Sequence, residues 1–302
     1  MLKRKKWLVI ADLEGIIGMR DIQDFSMNER LLSDEINRAI RAIEIYDPAC
    51  IFVADIHDRG NNIVNVQRLE RGVTLLRGIS ELVSSEYNAD YCILLGFHSM
   101  AGGLGRFPHT FREDICCACI GGRKVGEVGL FSRWLAGRGT RILLVSGEGN
   151  FCDELGKETM YHIVTDRYDH EVEVLRVKLQ HLKDYTIQVE KVPQPVEIYF
   201  YNKDYLALME HFDDCIEDGL KLIYENVDVF FRQLPELCKK ANRLKQIIIR
   251  RNTEELLRIK SLYHTSELRK LENEVFSKDV AMVTLHDLNT VRKILEENYR
   301  DR

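Results

Sequence analysis

Long apolar runs are missing from this chain. No stretch approaches the roughly 20 consecutive apolar residues that a membrane-spanning helix needs, so no membrane span is predicted. A strong charge of one sign is missing too. The chain carries 43 Lys and Arg against 48 Asp and Glu, a net charge of −5, and so lacks the basic excess that nucleic acid usually draws. The basic start, Lys3-Arg4-Lys5-Lys6, is followed by an apolar run, Trp7 to Ala11, that is too short for a secretory leader and meets Asp12 at once. A cytoplasmic protein is the expectation. Prolines number only 5, and neither an internal repeat nor a low-complexity segment stands out. Eight cysteines without a leader argue against a disulfide framework. Only Cys116-Cys117-Ala118-Cys119 gathers them. Its CxxC spacing is that of redox pairs or half a zinc site, but no second CxxC follows. The favoured reading is a buried strand, Ile115 to Ile120, whose thiols act as small hydrophobes.

What is present is an alternation of short apolar runs and helical patterns. At 302 residues, 45% of them hydrophobic, the chain is long enough for one large α/β domain or for a main domain with a smaller partner. Trp7-Ile10, Cys50-Val53, Cys92-Leu95 and Arg141-Val145 read as strands. Their continuous Leu and β-branched character suits a parallel sheet covered on both faces. Asn28 to Tyr46 reads as a helix, with Leu32, Ile36, Ala39, Ile40 and Ile43 on one stripe. Gly121-Gly122 turns the chain, and Val125 to Leu135 follows as a helix. After Asp153 the texture changes. Val192-Pro193-Gln194-Pro195 marks a connection, Val196-Phe200 alternates like a half-exposed strand, and Leu220 to Phe231 holds another strand-like patch. From Arg250 an amphipathic helix is expected, capped by Asn252 with Glu255 three residues on, and a last helix covers Leu285 to Tyr299. The fold class is therefore α/β: a mainly parallel central sheet with flanking helices over residues 1–188, then a smaller α+β domain with C-terminal helices over 189–302.

Three strands end in chemistry. The first runs into Asp12-Leu13-Glu14-Gly15, the second into Asp55-Ile56-His57, the third into Gly96-Phe97-His98. In open α/β sheets the carboxyl ends of the strands line the ligand crevice, so Asp, Glu and His converge on one edge. Residues two apart in extended backbone point the same way, which groups Asp12 with Glu14 and Asp55 with His57. Imidazole and carboxylate donors suit zinc, and five or six of them in one crevice fit two metals better than one. Taken singly, each residue has a plainer reading: Asp12 as a turn cap, Glu14 as a solvated loop charge, a histidine as a hydrogen-bonded structural residue. The combination is more specific, because His57, His98 and His109 all lie at or shortly after strand ends. The other six histidines, from His162 on, lack such neighbours.

These stretches, in this order, resemble the zinc-dependent D-aminopeptidases of peptidase family M55. The match rests on Asp12-Leu13-Glu14-Gly15-Ile16, Asp55-Ile56-His57 with Asn61-Asn62, Gly96-Phe97-His98, His109, and Val125-Gly126-Glu127-Val128-Gly129-Leu130. It covers residues 7 to about 155. The resemblance implies that Asp12, Glu14, His57, His98 and Glu127 hold two zinc ions and that His109 is the catalytic histidine. It also implies a ring-shaped homo-oligomer acting on short peptides. Glu127 enters only through the resemblance; its plainer reading is a first-turn Glu favoured by the helix dipole. Asp55 is a candidate to orient His57 from behind. Past residue 155 the motifs stop. A shorter charged segment, Thr165 to Lys183, precedes the smaller domain, residues 246–302 match nothing in the family, and Gly147-Glu148 stands where relatives tend to have Gly-Asp.

The leading expectation is a binuclear zinc aminopeptidase that removes N-terminal amino acids, with D-residues as a candidate class, from short peptides. Two alternatives stay open: another two-metal amidohydrolase on the same scaffold, and a non-catalytic oligomeric metal-binding protein whose C-terminal helices bind a partner. A cysteine nucleophile at Cys116 or Cys119, with His109 as base, is a weaker fourth.

Overall fold

The computed structural model describes residues 4–84, 88–148, 162–164, 194–202, 204–205, 215–218 and 221–262, with 288, 289 and 293. Six parallel strands form the first sheet: β1 (Lys6–Ala11), β2 (Cys50–Asp55), β3 (Val73–Arg77), β4 (Tyr91–Phe97), β7 (Arg141–Gly147) and β8 (His162–Val164), in the order β3-β2-β1-β4-β7-β8. Five antiparallel strands form the second: β5 (Ile115–Ile120), β6 (Arg123–Val125), β9 (Val196–Phe200), β10 (Cys215–Asp218) and β11 (Lys221–Tyr224), in the order β10-β11-β9-β5-β6. Strand β5 from the first half of the chain is thus the neighbour of β9 from the second. Four α-helices accompany them among the described residues: α1 (Phe25–Glu44), α2 (Gly78–Ser84), α3 (Glu127–Gly137) and α4 (Val227–Leu262).

Alternation within the central strands divides the core. Trp7, Val9 and Ala11 of β1, with Ile93 and Leu95 of β4, face the apolar stripe of α1, where Leu32, Ile36, Ala39, Ile40 and Ile43 are all buried. Leu8, Ile10, Cys92 and Leu94 face the other way, into a cluster shared with α2, α3, α4 and the second sheet. Both faces of the sheet are covered at β1 and β4, so these central strands needed to be apolar nearly throughout. Burying one such Leu or Ile contributes roughly 1.5–3 kcal/mol before entropy is counted.

The strand order reverses beside β1. The chain leaves β1 through α1 on one face to reach β2, and comes back through α2 on the other face to β4. The connections part at the carboxyl ends of β1 and β4, which opens a crevice there. Past the end of β1 the backbone stays joined to β4: Asp12 N–H donates to Leu95 O (2.9 Å) and Gly15 N–H to Gly96 O (2.8 Å). A Cβ on Gly15 would lie 2.0 Å from Phe97 O, so only glycine permits this approach.

Several expectations change at element ends. Helix α1 begins at Phe25, because the Asp24 side chain accepts the Met27 N–H (3.1 Å) and caps it one turn earlier than the apolar stripe indicates. Val125 closes β6 rather than opening a helix; α3 starts at Glu127. The strand-like patch from Leu220 splits. Residues Lys221–Tyr224 are β11, but Asn226 then accepts the N–H groups of Asp228 and Val229 (3.0 Å each), so the β-branched and aromatic run Val227–Phe231 opens α4 instead. No new helix begins near Arg250. α4 runs straight through, and Asn252 is buried within it, its Oδ1 accepting from Arg251 rather than capping. The charged segment Thr165 to Lys183 and most of the expected helix Leu285 to Tyr299 lie outside the described residues. No described helix is long and apolar enough to cross a membrane.

Candidate metal centre

All six residues singled out in the sequence meet at the crevice between β1 and β4. Asp12 and Glu14 follow β1, His57 follows β2, His98 follows β4, Glu127 opens α3, and His109 comes from the loop after β4. His57 Nδ1 lies 2.8 Å from Glu14 Oε2 and 3.4 Å from Asp12 Oδ1. His98 Nε2 lies 3.3 Å from Asp12 Oδ2 and 3.4 Å from Glu127 Oε1. His109 Nε2 lies 3.6 Å from Glu14 Oε1, and its ring stacks on His98 with centroids 4.1 Å apart. Asp12 therefore turns one oxygen toward His57 and the other toward His98.

The donors fall into three overlapping groups with ligand atoms inside 4.8 Å: Asp12-Glu14-His57, Asp12-His98-Glu127 and Glu14-His98-His109. Asp12, Glu14, His98 and Glu127 are buried, while His57 and His109 keep about a fifth of their side chains exposed (18% and 19%). The centre is thus closed below and open on the side of those two rings.

Backbone groups fix the rings. His98 Nδ1 donates to Ser99 O and His109 Nδ1 to Phe107 O, both at 3.0 Å, so each presents Nε2 to the carboxylates. Glu127 Oε1 accepts the Phe111 N–H at 2.7 Å. Two buried atoms in the middle, Asp12 Oδ2 and His98 Nε2, have no hydrogen-bond partner. A buried polar atom without a partner is costly, and a cation between these two would satisfy both. Three buried carboxylates beside three imidazoles match the donor set of zinc.

Electrostatics support the same point. Burial works against the charge on Asp12, yet the neighbouring imidazoles of His57 and His98 hold its carboxyl well below the usual range. Burial and the neighbouring Asp12 raise Glu14. Burial opposes a charged His57, but its bonds to Asp12 and Glu14 overcome this and lift it to about 11. His98 is lifted likewise, against its burial, by Glu127 and Asp12. The carboxylates hold positive charge at this spot, which is the electrostatic condition for cation binding.

Asp55 does not join its neighbour His57. The chain leaves extended backbone after β2, and the Asp55 carboxylate, fully buried, accepts the N–H of Asn62 (2.8 Å), its side-chain amide (2.9 Å) and the Ile63 N–H (3.2 Å). The same Asn62 amide donates to His57 O at 2.8 Å. Asp55 therefore acts on the His57 loop through Asn62 and has no bond to the ring among the described contacts. Cys117 and Cys119 lie on β5 with thiols pushed up, chiefly by burial, which disfavours a thiolate nucleophile. Sequence reasoning missed the carbonyls of Ser99 and Phe107 and the N–H of Phe111, since main-chain groups carry no residue-type signal.

The model of the Peptidase_M55 family, described as D-aminopeptidase, matches residues 6–192, well past the point near 155 where the short motifs end. A D-aminopeptidase of Bacillus subtilis (strain 168) is 26% identical over 163 residues, which is 49% of this chain and 58% of that protein. The chain thus spans little more than half the length of the curated relative it matches. Among solved structures, the Zn-dependent D-aminopeptidase DppA from Bacillus subtilis, a self-compartmentalizing protease, superposes with a TM-score of 0.67 at 18% identity. That superposition covers 79% of this chain and 98% of the other, a likeness of fold.

Proposed function

Because the chain belongs to the peptidase M55 family of D-aminopeptidases, we propose that it is a zinc-dependent aminopeptidase releasing N-terminal amino acids from short peptides. The observation that carries this reading is the paired deficit at Asp12 Oδ2 and His98 Nε2, inside a cluster of three carboxylates and three imidazoles. In this reading Asp12, Glu14, His57, His98 and Glu127 would hold the two zinc ions. Zinc at such a site supplies Lewis acidity for a peptide carbonyl and lowers the pKa of water toward ~7.

The protein's own groups do the rest. His98 and His109 keep their Nδ1 protons on main-chain carbonyls, so their Nε2 atoms stay available on the crevice side. His109 is the more exposed of the two and touches Glu14 on one side only. Its Nε2 is placed to take a proton from the nucleophilic water and then pass that proton to the departing amine. His98, packed beneath the His109 ring, keeps that ring from tilting inward. Asp55 holds the His57 loop through Asn62.

The DppA description as a self-compartmentalizing protease supports extending the proposal to a homo-oligomer. Elemental analysis of the purified protein beside His98→Ala tests the site. About two zinc per chain, falling in the variant, is expected. A panel of D- and L-dipeptides, free or N-acylated, tests the reaction: turnover of free-amine substrates that disappears in His109→Ala is expected. Protein that takes up no divalent metal, or that prefers the N-acylated substrates, would overturn the reading.

A further inference from the structure

We infer that the long helix α4 belongs to the apparatus that positions Glu127 and His109, acting through Phe111 and Arg112 as positioning residues. The inference rests on the proposed zinc site.

Phe111 has φ of 58°, a left-handed backbone that bulky residues rarely adopt. Such strain persists only where the surroundings over-determine it, and it clusters where position matters to function. Here the surroundings act from several sides. Thr110 and Arg112 pair across Phe111 as an isolated antiparallel bridge, and Thr110 Oγ1 accepts the Ala101 N–H at 3.2 Å. The Phe111 ring sits 5.8 Å from Phe131 of α3, 5.8 Å from Phe230 and 5.9 Å from Phe231 of α4. Its N–H reaches Glu127 Oε1 at 2.7 Å. Glu127 and Phe131 stand one turn apart on α3, so Phe111 grips the same face of that helix twice, once by its amide and once by its ring.

Arg112 ties the next residue to α4. Its Nε and Nη2 form a bidentate pair with Asp114 (2.8 and 2.5 Å). That leaves Nη1 to donate to Asn242 Oδ1 (2.7 Å) and Cys238 O (3.2 Å). A planar fork of this kind fixes direction as well as distance. The segment from His109 to Asp114 is therefore stacked on His98 at one end and fastened to α4 at the other. Were Phe111 to relax to an ordinary φ, its N–H would swing away from Glu127, and His109, two residues earlier, would lose its place over His98.

The test compares wild-type full-length protein with Phe111→Gly and Asn242→Ala. Glycine tolerates the left-handed backbone, so Phe111→Gly removes the ring without forcing the turn open. Asn242 lies on α4 and touches neither zinc ligands nor His109. The readouts are zinc affinity by competition with a chromophoric chelator, the unfolding midpoint of chelator-treated protein, and kcat and KM at saturating zinc. Supporting a metal ligand from behind is typically worth about 10–100-fold in affinity. Phe111→Gly should therefore weaken zinc by about that factor and lower kcat with KM little changed. Asn242→Ala should shift both in the same direction, by less. Unchanged zinc affinity and kcat in both variants, with only a lower unfolding midpoint, would mean that these contacts merely fasten α4 to the body. If Phe111→Gly does not fold, the zinc affinity of Asn242→Ala decides alone. Wild-type protein that binds no zinc would overturn the functional reading and this inference with it, whereas wild-type binding with unaltered variants overturns this inference alone.

Discussion

Replacing Glu35 by glutamine should remove a pH-dependent weakness built into the wall behind the crevice. Glu35 lies on α1 and is 5% exposed. Its Oε2 accepts the Ile17 N–H (3.1 Å) in the turn that follows Glu14, and its Oε1 accepts the Ser146 hydroxyl (3.3 Å) from β7. Burial pushes the carboxyl up from 4.5 to about 7, against those two bonds and the charge of Arg38. In the unfolded chain it ionises at its ordinary value. Between about pH 4.5 and about pH 7 the folded state keeps a proton that the unfolded state has lost. Stability from this group is therefore fully present below the unfolded pKa, falls as pH rises through that window, and is flat above it. At 1.36 kcal/mol per unit the gap sets a ceiling on the order of 3 kcal/mol. The Glu35→Gln side chain keeps an acceptor for Ile17 and gains a donor for Ser146, imitating the protonated acid. Urea unfolding of chelator-treated protein at about pH 5 and about pH 8 checks this, because the other titrating groups are common to both proteins and cancel in the difference. The variant should gain on wild type by up to about 3 kcal/mol between the two conditions. Parallel losses in the two proteins would refute the reasoning.

Three other outcomes are expected. In chelator-treated protein, burial opposes charge on His57, but Asp12 and Glu14 overcome it and lift the imidazole to about 11, so it is protonated at neutral pH. Zinc needs that lone pair, so uptake should release the His57 proton; calorimetry in buffers of different ionisation enthalpy measures this, and heats independent of buffer would contradict it. Gly15→Ala would place a Cβ 2.0 Å from Phe97 O and 2.7 Å from Gly96 O. These are main-chain atoms that cannot step aside, so a loss of about 3 kcal/mol or failure to fold is expected. Gly137→Ala, with nothing within 4 Å of the new carbon, should be neutral or stabilising by about 0.5 kcal/mol; urea unfolding of both glycine variants beside wild type checks the contrast.

Much of the site was legible because strand ends are legible. A run such as Trp7-Ile10 or Ile93-Leu95 commits itself to a buried parallel strand by composition alone, and the polar residue that breaks it, Asp12 or His98, must stand at the carboxyl edge. Parity was a weaker guide. It paired Asp55 with His57, but the backbone leaves extended geometry after β2, and the carboxylate turned to Asn62 instead. Glu127 had no local signal beyond the family pattern, since a glutamate in the first turn of a helix is ordinary. Propensity misled where a cap decided the matter: Val227–Phe231 has strand composition, yet Asn226 starts a helix there.

The sequence by itself determined the alternation of strands and helices, the edge on which the acids and imidazoles gather, and the residue types that suit zinc. Those follow from local pattern, because burial on both faces and the end of a strand are written in neighbouring residues. Only the tertiary structure decided which donors face each other, that Asp12 stands between two groups, and that a strained Phe111 links Glu127 to a helix more than a hundred residues away. Such relations depend on close approach between segments distant in the chain and on main-chain N–H and C=O groups common to nearly every residue, so composition and spacing carry no trace of them.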